Sequence, residues 1–283
     1  MQTIDHYAVF GYPIGHSKSP RIHRLFAQQT GQDLEYAAVA VPADTFSACV
    51  SAFLAGGGKG LNCTIPLKEL AWQRAEQLTE RARLAKAVNT LALQTDGTLL
   101  GDNTDGFGLA NDLTRNHQVK ISGTRILVLG AGGATRGILS ALFGLAPDSV
   151  LLINRTVEKA DNLAQEFCHL GPIRSGGYAD LHNLSGFDLI INATASSLSN
   201  ELPPLPDHVL RDGGVCYDLA YGNQPTAFVR WGQTHGAAKS VDGLGMLVEQ
   251  AAEAFRLWRG LSPDTAAVIN LLNRERNLHA SES

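Results

Sequence analysis

One stretch, 125–143, limits the fold more than any other. Arg125-Ile126-Leu127-Val128-Leu129 is a near-continuous apolar run. That is the pattern of a strand covered on both faces within a parallel sheet. It leads directly into Gly130-Ala131-Gly132-Gly133-Ala134 and then into a helical stretch over 138–143. A strand, a glycine-rich turn and a helix in that order open a βαβ unit whose backbone N–H groups face an anion. Gly130 permits the tight turn, and Gly132 lets the backbone approach a pyrophosphate. The spacing departs from strict G-x-G-x-x-G, because Thr135 follows Ala134 and the next glycine is Gly137. The flanking strand and helix therefore carry more of the argument than the glycines do.

Further apolar strands are expected at 150–153, 188–191 and 215–219, with a helix over 157–167. Strands alternating with helices predict an α/β fold with a doubly wound sheet. After the second strand, an NAD enzyme usually carries an acid for the ribose 2′-hydroxyl. Here the chain reads Asn154-Arg155-Thr156, with Lys159 close behind. A guanidinium binds a 2′-phosphate that a carboxylate would repel, so the expected cofactor is NADP.

The first hundred residues also alternate. Strands are expected at 7–11, 35–41 and 61–65, and helices at 20–29 and 45–54. Gly56-Gly57-Gly58-Lys59-Gly60 is expected to be loop. Asp96-Gly97 predicts a hairpin between 88–94 and 98–100. Helices are expected over 244–258 and 264–273, packing back on the first domain. The division that follows is a substrate domain at 1–103, completed by 246–283, and a dinucleotide domain at 104–245.

Composition narrows the class. Of 283 residues, 44% are hydrophobic and 18% charged, which suits a chain with a real core. The net charge is −4 and no long Lys/Arg run occurs, so nucleic acid is not an expected partner. No apolar run approaches the ~20 residues of a membrane span, and the first residues lack a signal-peptide pattern. Cys49, Cys63, Cys168 and Cys216 show no paired spacing. Free thiols in a cytoplasmic protein are expected, and no metal site.

Polar clusters stand at expected strand ends in the first domain: Ser17 and Ser19, Asn62 and Thr64 with Lys68, Asn89 and Thr90, and Asn103, Thr104 and Asp105. Singly, each reads as a turn or cap. Together they suit a polyhydroxylated small molecule. Lys68 and Asp105 are the one evident acid/base pair, and only the fold can bring them together. His16 has no identifiable carboxylate partner and is read as a turn residue.

These segments, together with Gly15-His16-Ser17-Lys18-Ser19-Pro20, Ala87-Val88-Asn89-Thr90 and Asp242-Gly243-Leu244-Gly245-Met246, occur in the order and spacing of the shikimate dehydrogenase family. The resemblance covers residues 7–272. It implies a substrate domain, a Rossmann-like NADP-binding domain, and NADPH-dependent reduction of 3-dehydroshikimate to shikimate in the chorismate and aromatic amino acid pathway. It implies Ser17 and Ser19 on the substrate carboxylate. Asn62, Thr64, Asn89, Asp105, Tyr221 and Gln250 are implied as further substrate contacts, with Lys68 as the catalytic acid/base and Asp105 as its partner. Gly130, Ala131, Gly132, Gly133, Ala134, Asn154, Arg155, Thr156 and Lys159 match cofactor loops, and Leu219, Gly243 and Met246 the nicotinamide pocket. Cys63 and Leu219-Ala220 depart from the commoner family residues. The alternatives are a quinate/shikimate enzyme with dual cofactor use and a non-catalytic NADP-binding sensor. A monomer or homodimer is expected.

Overall fold

The computed structural model describes residues 4–281. They fall into two compact units. The first is the chain up to Gly108 together with Val248–Val268, and the second is Leu109–Leu247 with the chain from Ile269.

The first unit runs β1 (Asp5–Gly11), α1 (Ser19–Thr30), β2 (Leu34–Ala40), α2 (Phe46–Ala55), β3 (Gly58–Cys63), α3 (Lys68–Arg74), β4 (Gln77–Leu78), α4 (Glu80–Ala85), β5 (Thr90–Leu93) and β6 (Leu99–Asp102). The strand order is β2-β1-β3-β5-β6-β4. β1 is parallel to β2 and β3, while β5 is antiparallel to β3 and β6. The β5–β6 turn is the expected Asp96-Gly97 pair. Gly97 takes φ +84°, and the Asp96 carboxylate accepts the Thr98 N–H at 2.9 Å.

The glycine run 56–60 is not all loop, because strand begins at Gly58. The reason lies overhead. The Trp258 indole donates to the Leu91 carbonyl at 3.0 Å and lies on the strand beneath it. A Cβ at Gly60 would sit 2.8 Å from that carbonyl oxygen and inside contact distance of the indole nitrogen. Composition reads as loop here; a ring laid on the backbone makes it strand.

The second unit is entered through α5 (Asp105–Asn111), which continues as a π-helical turn over Asp112–Asn116. Then follow β7 (Arg125–Leu129), α6 (Gly133–Gly144), β8 (Ser149–Ile153), α7 (Val157–Phe167), β9 (Ile173–Gly176), β10 (Phe187–Asn192), β11 (Leu210–Asp218), α8 (Ala227–Thr234), β12 (Lys239–Val241), α9 (Leu244–Arg259) and α10 (Thr265–Ser281). The strands lie in the order β12-β11-β10-β7-β8-β9, every neighbouring pair parallel. This is the doubly wound order. Its switch point lies between β7 and β10, where the crevice beyond the carboxyl ends of the strands receives ligands. Ile126–Leu129 and Leu189–Ile191 are fully covered, which explains their unbroken apolar sequence. No helix among the described residues is long and apolar enough to cross a membrane.

From Val248, α9 packs back on the first unit. Phe255 lies edge-on to Phe26, with ring centroids 5.8 Å apart, and Trp258 stacks on Tyr7 at 4.7 Å. Arg259 adds hydrogen bonds to Asp5 and Gln32. From Ile269, α10 belongs with the second unit, where Arg276 donates to Asp242 at 2.6 Å.

His23 is sealed in this aromatic layer. Only 1% of it is exposed, and its ring stacks on Tyr36 at 4.2 Å and 6°. Neither ring nitrogen has a hydrogen-bond partner. Burial pushes the imidazole down to about 3. The unfolded chain protonates near 6.5, so His23 contributes its full stability above that pH and loses it as pH falls toward 3. The expected slope is about 1.4 kcal/mol per pH unit. His23→Phe keeps the stack and should remove that slope between pH 6 and 4 in urea unfolding. Equal slopes for the two chains would show that the acid sensitivity arises elsewhere.

Candidate active site

Strand pairing in the first unit assembles the polar residues from distant parts of the chain. The carboxyl ends of β1 and β3 are neighbours, and the loops beyond them stay bonded. The Thr64 N–H donates to the Phe10 carbonyl at 2.9 Å, and Tyr12 N–H to Ile65 at 3.1 Å. A Cβ on Gly11 would collide with the Thr64 methyl group, so glycine is required for Thr64 to fold over the strand end. Ser19 opens α1, with Pro20 in the first turn. Its backbone N–H donates to the Ser17 hydroxyl at 3.3 Å.

Asn62 ends β3 with both halves of its amide in use. Its Nδ2 donates to the Asn89 carbonyl at 3.0 Å and to Thr90 Oγ1 at 2.9 Å, and its Oδ1 accepts the Tyr36 hydroxyl at 2.7 Å. Ser19 bonds to that same hydroxyl, so Ser19, Tyr36 and Asn62 form one chain. Burial raises the Tyr36 phenol well above its ordinary range, which keeps it a donor.

Lys68 and Asp105 meet directly. Lys68 Nζ donates to Asp105 Oδ2. The other carboxylate oxygen accepts Asn89 Nδ2 at 2.9 Å. The same amide nitrogen lies 2.9 Å from Thr104 Oγ1 and 3.3 Å from Gln250 Oε1. Asp105 is buried, whereas the Lys68 side chain keeps 22% exposure. The ammonium is therefore braced by Asp105, and its side chain is not fully enclosed. Seven of the expected residues share this region: Ser17, Ser19, Asn62, Lys68, Asn89, Asp105 and Gln250, with Thr64 beside them on the β3 loop.

The turn beneath Asp105 is held by buried charge. Asp102 accepts Arg81 Nε at 2.7 Å, Thr79 Oγ1 at 2.6 Å and the Asn103 N–H at 2.7 Å. Arg81 also reaches Glu253 at 2.8 Å. Burial alone would raise the Asp102 carboxyl, but bonding and charge from Arg81 outweigh it and hold it below its ordinary value. Asn103 Oδ1 then accepts the Asp105 N–H at 3.1 Å.

In the second unit, Gly130 takes φ +101°, and a Cβ there would approach the Ala193 carbonyl carbon at 3.2 Å. Nothing lies within 4 Å of a Cβ built on Gly132 or Gly133, so open space flanks the loop. α6 begins at Gly133, five residues before the expected start, and the N–H groups of its first turn have no partner within the helix. Asn154 ties the two loops together, accepting from Ala131 N–H at 3.2 Å and donating to the Thr156 carbonyl at 2.8 Å. Arg155, Thr156 and Lys159 are exposed at the start of α7. Gly243 lies tight against the Leu219 carbonyl, and Leu219 and Met246 pack on one core cluster. Tyr221 is half-buried in the same unit. No group of His, Cys, Asp and Glu among the described residues could hold a metal ion.

Sequence reasoning missed two features. Tyr36 shows no polar partner in its own strand, so nothing local flags it. Asn192-Ala193-Thr194 ends β10 beside Gly130. Polar residues at the end of an apolar strand are the available signal there.

Comparison with known proteins agrees with this geometry. Three family models match: "Shikimate dehydrogenase substrate binding domain" over 9–91, "Shikimate / quinate 5-dehydrogenase" over 112–200 and "Shikimate 5'-dehydrogenase C-terminal domain" over 243–272. The chain is 61% identical over 276 residues to the shikimate dehydrogenase (NADP(+)) of Methylococcus capsulatus, covering 98% of this chain and 99% of that one. It is 56% identical to the protein of that name from Nitrosococcus oceani, covering 97% of each. Among solved structures, the Ael1 enzyme of Pseudomonas putida is 46% identical with a TM-score of 0.88, covering 95% of this chain and 98% of that one. Shikimate 5-dehydrogenase of Thermus thermophilus, solved with NADP(H) and shikimate, is 32% identical with a TM-score of 0.85, covering 96% and 100%. Glycine loop, lysine–aspartate pair and doubly wound sheet thus occur in a chain that belongs to the shikimate dehydrogenase family.

Proposed function

We propose that this chain is an NADP-dependent shikimate dehydrogenase, reversibly reducing the ketone of 3-dehydroshikimate to the hydroxyl of shikimate. The observation that carries the proposal is the Lys68–Asp105–Asn89 cluster, an oriented ammonium on a side chain that is not fully enclosed. Relatives over nearly the full length bear that activity in their names.

NADPH fits the second unit. Gly130 makes the tight turn, Gly132 and Gly133 leave room for a pyrophosphate, and the α6 N-terminus supplies N–H donors. Ala131 and Ala134 complete the loop. Arg155 and Lys159, with Thr156, suit a 2′-phosphate, and the absence of an acid after β8 suits NADP over NAD. Bound NADPH supplies the hydride.

This chain's residues do the rest. Ser17 and Ser19 present hydroxyls to the substrate carboxylate. Asn62, Thr64, Asn89, Gln250 and Tyr221 contact ring oxygens. As the ketone becomes an alkoxide, Lys68 Nζ passes it a proton, and Asp105 keeps the ammonium aimed. In the oxidative direction the proton returns to Lys68. Leu219, Gly243 and Met246 line the nicotinamide side. The unpaired cysteines suit the reducing cytoplasm.

Purified protein should oxidise shikimate with NADP+ and do so poorly with NAD+ or with quinate. Lys68→Ala should lower kcat by ~10²–10⁴-fold while shikimate binding, followed by calorimetry, is kept. Comparable rates on quinate or with NAD+ would establish the broader specificity. NADP+ binding without oxidation of shikimate would establish a sensor. Separately, Arg155→Ala should raise KM for NADP+ by ~10–100-fold, the value of one charge-assisted bond. An unchanged KM would remove Arg155 from phosphate binding.

A further inference from the structure

Asp112 and Tyr217 form a buried pair that no step above uses. Both are 0% exposed. The Tyr217 hydroxyl donates to Asp112 Oδ2 at 2.6 Å, and Asn116 Nδ2 donates to Oδ1 at 2.8 Å. His117 Nε2 lies 3.5 Å from Oδ2. The aspartate sits in the π-helical turn, a local irregularity that often marks a functional position.

The other side of the carboxylate is occupied by the first turn of α9. A Cβ on Gly245 would overlap all three terminal atoms of Asp112, so this glycine backbone lies directly on the carboxylate. The Met246 backbone bonds to the Tyr217 hydroxyl. The N-terminus of a sixteen-residue helix favours a negative charge at this place. Burial and the Asp112 charge raise the Tyr217 phenol well above its usual range, so it stays a donor. Gly243, two residues earlier, is pressed against the Leu219 carbonyl. The segment 243–246 is thus fixed by Leu219 at one end and by Asp112–Tyr217 at the other.

We propose that Asp112 and Tyr217 are positioning residues for nicotinamide: they hold the Gly245–Met246 backbone so that Met246 and Gly243 present a fixed wall to the ring. Neither touches cofactor or substrate. The inference rests on the proposed nicotinamide pocket. Displacement of a wall by about 1 Å loosens hydride geometry, at a cost of up to ~10²-fold in rate, without touching the adenosine end of the cofactor.

The experiment compares NADP+ with its fragment 2′,5′-ADP, which lacks nicotinamide, by calorimetry on Tyr217→Phe. We expect NADP+ affinity to fall about tenfold, roughly 1.4 kcal/mol, as the loosened wall gives up part of its contact with the nicotinamide. Binding of 2′,5′-ADP should stay within twofold of wild type, and kcat should fall with a changed primary deuterium isotope effect from 4-deuterated NADPH. Equal losses for NADP+ and 2′,5′-ADP would overturn the proposal. So would unchanged NADP+ binding and isotope effect with only a lower Tm. If Tyr217→Phe does not fold, Asp112→Asn is read by the same outcomes. Met246→Ala separates the two layers: unchanged NADP+ affinity there would overturn the pocket assignment, and with it the inference.

Discussion

The ion pair between Lys68 and Asp105 is the contact on which the rest of the site depends. Lys68 is the first residue of α3, where a helix dipole disfavours a cation. Asp105 is the first residue of α5, where the dipole favours an anion. The second arrangement offsets the first. Removing one partner of such a largely enclosed pair leaves the other charge uncompensated. The pair also needs its floor. Arg81, Asp102 and Glu253 fix the turn at Asn103, and Asn103 fixes the Asp105 backbone. Asn103, neutral itself, thus links Asp105 to the paired charges of Asp102, Arg81 and Glu253.

The two units solve different problems with similar sheets. In the second, every strand pair is parallel and both faces are covered, so one end of the sheet gathers loops of one polarity. The glycine loop, Asn154 and Asn192-Ala193-Thr194 all stand at that end. In the first, the reversal at β5 brings Asn89 and Thr90 beside Asn62, which a wholly parallel sheet would not do. Mixed pairing is what concentrates amides at one place.

What the sequence discloses follows from which forces are local. Alternating apolar strands and helices, the glycine turn and the Asp96-Gly97 pair are local, and they predicted the doubly wound sheet and the hairpin. β9 and β12 are four and three residues long, too short to carry a pattern. Gly60 lies under Trp258, nearly two hundred positions away, and the stack of His23 on Tyr36 joins a helix to the strand after it, so neither contact shows in a local pattern. Polar residues at strand ends flagged candidate positions, but only pairing brings Lys68 to Asp105. Asp112 and Tyr217 look ordinary in sequence because their significance is the Gly245 backbone lying on them.

The order in which the first unit is written along the chain has a consequence for how it is made. Its sheet ends at Asp102, yet Phe255 and Trp258, which lie on Phe26, Tyr7 and the glycine strand, come some 150 positions later. The entire second unit up to Leu247 lies between them. A ribosome therefore delivers a nearly finished β-structure with its aromatic cover missing. That surface stays wet, and open to wrong partners, for as long as the intervening residues take to synthesise. Transient shielding of that surface during translation is the demand that this arrangement places on the cell.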